Sequence, residues 1–444
     1  MAYIRDTIAA IATPPGKGGI GIIRISGPDV VRIARELSKK ETEPRVATLV
    51  SFYDAIERTI DEGLLIYFKS PHSFTGEDLI ELQGHGGPVV MDLLLKRAIQ
   101  LGARQAGPGE FSHRAFLNNK IDLVQAEAIA DLINSSSEQA ALGSIRSLQG
   151  DFSNKINYIL KELVQMRVLI EADADFPEDD IDAEIDHEEK ERLKQLLRHL
   201  DDLVDGAKEG EAFSQGVNLV LTGKPNAGKS SLMNALCKKD VSIVTDIPGT
   251  TRDVVRQDAL IEGVTFRILD TAGTRKAENK IEAEGVKRAL SEIERADIVL
   301  NLIDLTENLT LQQMEKVEKN KRDKEIVVYN KLDLIEKPPN PDKFLCVSIK
   351  KGKGLDKLKG RLLQHVGVVN SGASIFSARR RHITAIETTR AHVLKATDLI
   401  ENKNQSDILA EELRLAQLAL DSITGVFTSD DLLGEIFNNF CIGK

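Results

Sequence analysis

One segment of the sequence constrains the fold more than any other. VNLVLTGKPNAGKSSLMNAL (Val217–Leu236) has an apolar strand, a glycine-containing loop and a helix, in that order. It contains the Gly-x-x-x-x-Gly-Lys-Ser pattern of a phosphate-binding loop. The loop amides and the helix N-terminus would surround phosphate oxygens, Lys229 would reach the β- and γ-phosphates, and the Ser230 hydroxyl would hold Mg²⁺. The strand–loop–helix context makes a chance match to the pattern a poor alternative.

A second motif follows on a strand end. TFRILDTAG (Thr265–Gly273) ends in Asp-x-x-Gly. There Asp270 can act on Mg²⁺ through water, and the Gly273 amide can sense a γ-phosphate. This motif predicts a nucleoside triphosphate as the ligand.

Two further motifs select the base. EIVVYNKLD (Glu325–Asp333) ends in Asn-Lys-x-Asp, in which Asp333 can accept two hydrogen bonds from guanine N1–H and the 2-amino group. Adenine cannot make this charge-assisted contact. Asn330 would support O6/N7 recognition. Ser348-Ile349-Lys350, expected at the end of a strand that starts at Cys346, resembles the guanine-contacting Ser-Ala-Lys loop, with Ile in place of Ala. The four motifs in this order predict a GTP site.

The segment between the first two motifs contains a threonine suited to a nucleotide-dependent switch, but it contains no arginine placed by the sequence to act on the phosphates. In IVTDIPGTTRD (Ile243–Asp253), Thr251 is the candidate to complete the Mg²⁺ shell. Thr274 follows Gly273, and no glutamine follows to orient water; no arginine finger is positioned by sequence. Another group must therefore stabilise charge. The predicted GTP-binding residues are Asn226, Ala227, Gly228, Lys229, Ser230, Ser231, Thr245, Asp246, Ile247, Pro248, Gly249, Thr250, Thr251, Asp270, Thr271, Ala272, Gly273, Asn330, Lys331, Asp333, Ser348, Ile349 and Lys350.

Hydrophobic periodicity divides the rest of the chain. Residues 1–118 alternate strand-like runs such as Gly18–Ser26 with short helical patterns, which predicts an α+β domain. Residues 119–210 and 371–444 are helical in pattern, and residues 211–370 alternate short apolar strands with helices. We therefore expect a multidomain α/β and α fold in which an α/β domain is inserted into a helical one.

Composition limits the classes of function. The 444 residues carry a net charge of −10, so the chain as a whole is not suited to bind a polyanion. Its three cysteines form no CxxC pair, which argues for a reducing cytoplasm, and no apolar run is long enough to span a membrane. One basic cluster, Ala378–His382, either faces RNA or is a solvated helix start. Cys237 and Cys346 lie in apolar elements and are expected to be core residues.

Several segments together resemble a known family. NAGKSS, TDIPGTTRD, DTAG and NKLD are similar to the potassium-dependent GTPases of the TrmE-Era-Era-like group. ATPPGKGGIGIIRISG, SFTGEDLIELQGHGGP, PGEFSHRAFLNNKIDLVQAEAIADLI and FTSDDLLGEIFNNFCIGK resemble the TrmE (MnmE) family of tRNA-modifying GTPases within that group. The resemblance covers essentially the whole chain. It implies an N-terminal α+β folate-binding and dimerisation domain, and a helical domain with an inserted Ras-like P-loop G domain.

The resemblance also implies how hydrolysis is activated. Asn226 and the backbone carbonyls of Thr245, Ile247 and Thr250 would ligate K⁺, which could replace the missing arginine. Glu282 matches the family's water-orienting glutamate. On the sequence alone, Glu282 is one more exposed acid among several.

The same resemblance implies a substrate and partners. With an FAD-dependent partner of the MnmG (GidA) type in a heterotetramer, a homodimer would add a (carboxymethyl)aminomethyl group at C5 of the wobble uridine of certain tRNAs. A tetrahydrofolate in its 5-formyl or methylene form would supply the one-carbon unit, and FAD would sit on the partner. Arg24, Glu81, Lys120 and Lys444 are the implied folate contacts, with Glu81 suited to the pterin amino edge and the cations to the anionic tail.

The chain end FNNFCIGK places Cys441 in the register of a prenylation box. Gly443 is not aliphatic and Lys444 is an unusual last residue, so lipidation is disfavoured. A stripe of apolar residues would instead dock the tail, with Thr428 as helix cap. Cys441 is then either a catalytic thiol at the implied folate site or a buried helix-end residue. The stripe consists of Leu432, Leu433, Ile436, Phe437 and Phe440.

Two other functions remain open at this point. Gly84–Gly87 fits the GXXG loop of a KH domain, which would favour an Era-type ribosome-assembly GTPase. However, a strand rather than a helix is expected before Pro88–Ile99, and the loop has no basic residue. His85 is either a pocket or a turn residue. A regulatory GTP switch that takes no part in modification is the third possibility.

Overall fold

The computed structural model describes residues 6–175, 183–237, 256–270, 291–307, 309–340, 343–368, 376–400, 406–425, 433, 436–438 and 440–443. The chain forms two compact units. The first comprises Met1–Ala130 and Asp421–Lys444, and the second comprises Asp131–Leu420.

The first unit is built on a six-stranded sheet of order β3-β4-β5-β2-β1-β6. All of its pairings are antiparallel except that of β1 with β6, which is parallel. Period-2 alternation puts Ile23 and Ile25 of β2 and Ile80 and Leu82 of β5 into one core. The strands are β1 (Ile8–Ile11), β2 (Gly18–Ser26), β3 (Thr48–Tyr53), β4 (Thr59–Phe68), β5 (Leu79–Gly86) and β6 (Arg104–Gln105).

Helices α1 (Val30–Ser38) and α2 (Pro88–Gln100) bury Ile33, Leu37 and Leu94 in that same core. Helix α3 (Glu110–Leu117) packs Phe111 against Ile8 and Ala10 in a separate cluster. Because Ile8 and Ala10 alternate with core-facing Ala9, helix α3 lies on the opposite face of the sheet. Arg24 and Glu81, on strands β2 and β5, alternate in the same way and share that face with α3.

The end of the chain packs into the first unit. Leu433, Ile436, Phe437 and Phe440 are buried with Leu123 and Ala126 of α4 (Leu123–Ile133). This confirms the docked tail for these residues. Leu432 and Thr428 lie outside the described residues.

The second unit contains a five-stranded sheet of order β11-β10-β7-β9-β8. Pairings β11–β10–β7–β9 are parallel, and β8 is an antiparallel edge. Helices α8 (Lys229–Cys237), α9 (Leu311–Asn320) and α10 (Leu355–His365) pack on it. The strands are β7 (Val217–Gly223), β8 (Arg256–Ile261), β9 (Val264–Asp270), β10 (Ile298–Asp304) and β11 (Glu325–Asn330).

The helical part of the second unit contains α5 (Glu138–Leu148), α6 (Asp151–Asp175), α7 (Ala183–Gln215), α11 (Arg380–Leu399) and α12 (Ser406–Thr424). Its core includes Phe152, which stacks on Phe376 with ring centroids 4.4 Å apart. None of the helices within the described ranges combines the length and hydropathy that crossing a membrane requires.

Most local expectations agree with these elements, with one exception. In place of the predicted strand before Ser348, the structure has two isolated bridges, Tyr329 with Cys346 and Ser348 with Lys353. Cys346 is buried and Cys237 packs half-buried against the core, as predicted for both.

Candidate functional site

The phosphate-binding loop connects β7 to α8. Gly223 and Gly228 have φ of 132° and 105°, and Asn226 has φ of 64°, so the loop turns through left-handed conformations that favour glycine. Lys229 is only 7% exposed. Its Nζ donates to the carbonyl oxygens of Gly223 and Lys224, both at 2.9 Å. The ammonium group is therefore held inside the curve of the loop, where phosphates would bind.

Two oxygen side chains meet beside this loop. The Ser230 hydroxyl donates to Asp270 Oδ2 at 3.1 Å, which joins the first residues of α8 to the end of β9. Oxygen ligands from one hydroxyl and one carboxylate, completed by phosphate and water, suit Mg²⁺. Across the described ranges no three His, Cys, Asp or Glu side chains converge on a metal position.

The predicted guanine loop is tied to the phosphate loop. Asn330 Nδ2 donates to the Ala227 carbonyl oxygen at 2.8 Å, and its Oδ1 accepts from the Ile349 amide at 3.3 Å. A Cβ atom on Gly228 would lie 2.3 Å from Asn330 Nδ2, so only glycine allows this approach. One amide side chain thus sets the positions of both loops.

Asp333 is poised to accept hydrogen bonds. The Ser348 hydroxyl donates to its Oδ1, and this bond is the main reason that the pKa of Asp333 lies below its ordinary value. The carboxylate is consequently ionised at neutral pH. That is the state that guanine N1–H and 2-amino donors require.

The sequence reasoning missed two acids at this site. Asp304, at the end of β10, accepts from Lys331 Nζ at 2.5 Å, and Glu307 accepts from Lys224 Nζ at 2.6 Å. Burial alone would raise the pKa of Asp304, but hydrogen bonds from Lys331 and Thr306 outweigh it and lower the pKa. Asp304 could have been found from the sequence, because it is an acidic residue at the end of an apolar strand, as Asp270 is.

Part of the predicted nucleotide site cannot be placed. The described residues include the phosphate loop, Asp270 and the two guanine motifs. The remaining predicted residues lie outside the described part of the chain: Thr245, Asp246, Ile247, Pro248, Gly249, Thr250, Thr251, Thr271, Ala272, Gly273 and Glu282.

The second candidate site is on the α3 face of the first unit. Arg24 donates to Glu81 Oε1 from Nε at 3.1 Å and from Nη2 at 2.8 Å. Its guanidinium carbon lies 5.3 Å from the ring centroid of Phe74 and 5.8 Å from that of Phe111. The two implied folate residues are thus together, flanked by aromatic rings, and bonded to each other.

Lys120 reaches the loop that carries Phe74. Its Nζ donates to the Pro71 carbonyl oxygen at 3.0 Å, and its side chain lies against Gly76. Asn118 donates to the Thr75 carbonyl oxygen at 2.7 Å. The segment after α3 therefore holds this loop in place.

Cys441 lies near the start of α3. Its carbonyl oxygen accepts from the Gly109 amide at 3.3 Å, and Pro108 bridges to Ile442. Gly109 has φ of 61° and no room for a Cβ atom beside Phe437 and Phe440. Cys441 itself is exposed, so the alternative of a buried helix-end cysteine is wrong. Lys444 lies outside the described residues.

Two features singled out in the sequence have local roles. The His85 side chain is 74% exposed and lies one residue before the end of β5; its amide donates to Asp61 Oδ2 and its Nδ1 shares a hydrogen bond with Asp61 Oδ1, both at 2.7 Å. His85 therefore lies on a strand rather than in a turn, and this strand leads into α2 as expected. In the basic cluster, Arg379 pairs with Asp131 at 2.7 Å and His382 is buried, so the helix start is only partly solvated.

Family models and full-length relatives match this chain over nearly its whole length. A family model described as the GTP-binding protein TrmE N-terminus matches residues 7–120, and one for the MnmE helical domain matches residues 123–441. A tRNA modification GTPase MnmE of Legionella pneumophila strain Philadelphia 1 is 49% identical over 99% of both chains. Its counterpart in Francisella philomiragia is 47% identical over 100% of both chains.

Among solved structures, Aquifex aeolicus Era bound to GDP.AlF4- covers 40% of this chain and 66% of its own at 27% identity. The TM-score of 0.26 is too low for that likeness to bear on function. The expectation drawn from the segments of the sequence is confirmed by the full-length relatives and by the two family models: the protein belongs to the MnmE family.

Proposed function

We propose that this member of the MnmE family hydrolyses GTP in the course of tRNA modification. Full-length similarity to tRNA modification GTPases supports the overall activity. The observation that carries the nucleotide part is the bond from Asn330 to Ala227, because it joins a guanine-selecting motif to a phosphate loop.

In this proposal the chain binds the nucleotide with groups already in position. The loop amides and Lys229 hold the phosphates, and Asp333 with Ser348 holds the guanine edge. Ser230 and Asp270 would hold Mg²⁺, which supplies charge neutralisation on the phosphates. Asn330 fixes the spacing between base and phosphate subsites.

Activation by potassium belongs to the same proposal. Asn226 lies exposed at the crest of the loop with φ of 64°, so its side-chain oxygen is open to a cation. The carbonyls of Thr245, Ile247 and Thr250 would complete the K⁺ ligands, and Glu282 would orient the attacking water. A cation in this position would stabilise charge that no arginine supplies. Thr251 would complete the Mg²⁺ shell.

We place the folate-dependent chemistry of this proposal on the first unit. Arg24 and Glu81 would bind a tetrahydrofolate derivative between Phe74 and Phe111, with Lys120 and Lys444 toward its anionic tail. The Arg24–Glu81 pair would have to share its hydrogen bonds with the pterin. Cys441 supplies an exposed thiol near α3, available as a catalytic group.

The assembly and the domain boundaries are also proposals. The chain would act as a cytoplasmic homodimer with an FAD-dependent partner of the MnmG (GidA) type, at C5 of the wobble uridine. The folate-binding and dimerisation domain would span residues 1–118, the helical domain 119–210 and 371–444, and the G domain 211–370.

Mass analysis of tRNA nucleosides from a strain lacking this protein tests the proposal. We expect loss of the C5 group from wobble uridine, restored by the intact gene. Normal nucleosides together with co-purification of the protein with ribosomal subunits would favour the Era-type alternative. Normal nucleosides without ribosome association would favour a regulatory switch.

A further inference from the structure

Asp131, near the end of α4, contacts both connections of the α/β part of the second unit. It is 8% exposed. Its Oδ1 accepts from Gln215 Nε2 at 3.3 Å and from Arg379 Nη2 at 2.7 Å, and its Oδ2 accepts from Ser377 Oγ at 2.5 Å. Gln215 is the last residue before the turn into β7, and Ser377 and Arg379 immediately precede α11. One buried carboxylate therefore hydrogen-bonds both to the segment that enters the α/β part and to the segment that leaves it.

The outgoing connection is held at further points. The Ser377 amide donates to the Gly143 carbonyl oxygen at 3.1 Å, and Ser147 Oγ donates to the Ser377 carbonyl oxygen at 3.1 Å. Both Gly143 and Ser147 belong to α5. Helix α5 is thus bonded directly to the segment that leaves the α/β part.

Helix α5 and the loop before it also touch the β8–β9 hairpin. Ser136 Oγ and Thr265 Oγ1 share a hydrogen bond of 2.8 Å, and Thr265 is only 6% exposed. The Gln139 side chain lies where a Cβ atom on Gly263 would be, at 2.5 Å. The residue before β7, Gly216, approaches the Thr265 carbonyl oxygen in the same way, at 2.7 Å from an added Cβ.

Strand β9 links this contact to the nucleotide site. Thr265 is its second residue and Asp270, bonded to Ser230, is its last. Five residues of strand span about 17 Å. Strand β9 is hydrogen-bonded to β7 on one side and to β8 on the other, and this pairing stiffens it between Thr265 and Asp270.

We propose that a change in the bound nucleotide shifts β9 against Ser136 and Gln139, and that these two residues transmit the shift to α5. Asp131 would hold the two connections of the α/β part in place while the strand moves. In GTPases the Asp-x-x-Gly segment changes its contacts when the γ-phosphate is lost. That change displaces Thr265 against Ser136 and alters the stability of α5. The inference rests on the nucleotide site of the proposed function and on no part of its tRNA chemistry.

Hydrogen–deuterium exchange on the full-length protein tests this relay. Amides of residues 137–148 are compared in protein bound to GDP and in protein bound to a non-hydrolysable GTP analogue with Mg²⁺. We expect their exchange rates to differ by about fivefold or more between the two states, the lower end of measured couplings. No difference between the two states would overturn the proposal.

Two variants with matched controls locate the relay. Ser136→Ala should reduce the difference to below about twofold. Ser135→Ala should keep it, because the Ser135 hydroxyl donates to the Leu132 carbonyl oxygen at the end of α4 and not to β9. Asp131→Asn should also reduce the difference, whereas Asp201→Asn, in an exposed ion pair with Arg390, should not.

The affinity of each of the four variants for a fluorescent GDP is measured, and it should match the affinity of the unaltered protein. Loss of affinity in Ser136→Ala would show that the residue supports the nucleotide fold itself, and would overturn the relay. So would an undiminished difference in both Ser136→Ala and Asp131→Asn. Neither result would alter the nucleoside test of the proposed function, so the two can fail separately.

Discussion

Asn330 and Ala227 are 103 positions apart in the sequence, and a hydrogen bond of 2.8 Å joins the Asn330 amide to the Ala227 carbonyl oxygen. This contact fixes the guanine-recognition strand end against the phosphate loop. The proposed base and phosphate subsites are thus directly linked, so we expect a change in either one to alter guanine nucleotide affinity.

Asp333→Asn should weaken GTP binding about a hundredfold, because the amide replaces one acceptor oxygen by a donor that opposes the guanine donors. Fluorescence titration with labelled GDP measures the affinity. Asp323→Asn, an exposed acid before β11, is the matched control and should leave the affinity unchanged. Equal affinities in the two variants would remove Asp333 from the base site.

The GTPase rate should be several-fold higher in KCl than in NaCl if a potassium ion replaces the missing arginine. Glu282→Ala should lower kcat about a hundredfold with little change in nucleotide affinity, as expected for a group that acts only in the transition state. Turnover of the unaltered protein in KCl and in NaCl at constant ionic strength measures the potassium effect. Turnover of Glu282→Ala in KCl, with a nucleotide titration beside it, measures the effect of the substitution. Equal rates in KCl and NaCl would reject the potassium role, and full kcat in the variant would reject Glu282.

Cys441 should be the first thiol to react with a maleimide. It is exposed, whereas Cys346 is buried and burial raises the pKa of its thiol to about 11. Burial, aided by Asp258, also raises the pKa of Cys237. Because the thiolate is the reactive form, both should react slowly at pH 8. Peptide mass spectrometry after a short pulse gives the order, and faster labelling of Cys346 would contradict the placement of the chain end.

Arg114→Met should destabilise the first unit by about 3 kcal/mol, because it removes a buried cation that three partly buried acids share. Arg114 is 3% exposed and contacts Asp6 at 2.6 Å, Glu77 at 3.1 Å and Glu110 at 3.1 Å. Urea unfolding measures the change. Arg58→Met, in an exposed pair, is the control and should have little effect.

The same network predicts a pH dependence of stability. Burial alone would raise the pKa of Glu110, but hydrogen bonds from Arg104, the Gly107 amide and Arg114 outweigh it and lower the pKa. The pKa of Asp6 is lowered in the same manner by Arg104 and Arg114. A carboxyl with a lowered pKa stabilises the fold above the ordinary carboxyl range and loses that contribution as pH falls through about 4. The unfolding free energy of Arg114→Met should therefore fall less steeply below pH 5, and an identical slope would contradict this assignment.

Local patterns were enough to predict the elements that carry the motifs. The strand, loop and helix of Val217–Leu236 and the helix Leu123–Ile133 follow from apolar period and glycine placement over short stretches. The missing strand before Ser348 shows the limit of that reasoning. Cys346 is buried as predicted, but the segment forms isolated bridges instead of a continuous strand.

Contacts between distant residues could not be predicted. Nothing in the sequence around Asp131 indicates Gln215, Ser377 or Arg379 as partners, since hydrogen bonds of this separation depend on tertiary packing. The exposure of Cys441 was undecidable for the same reason. It follows from the fit of the chain end against Gly109, which an apolar stripe alone does not determine.

The central claim is that a guanine nucleotide site on this chain is required for tRNA modification. Its most direct test is nucleoside mass analysis of a deletion strain that carries Asp333→Asn or its control Asp323→Asn at equal protein level. We predict that the control restores the C5 group on wobble uridine and that Asp333→Asn does not. Full restoration by Asp333→Asn, despite its measured loss of GTP affinity, would contradict the account.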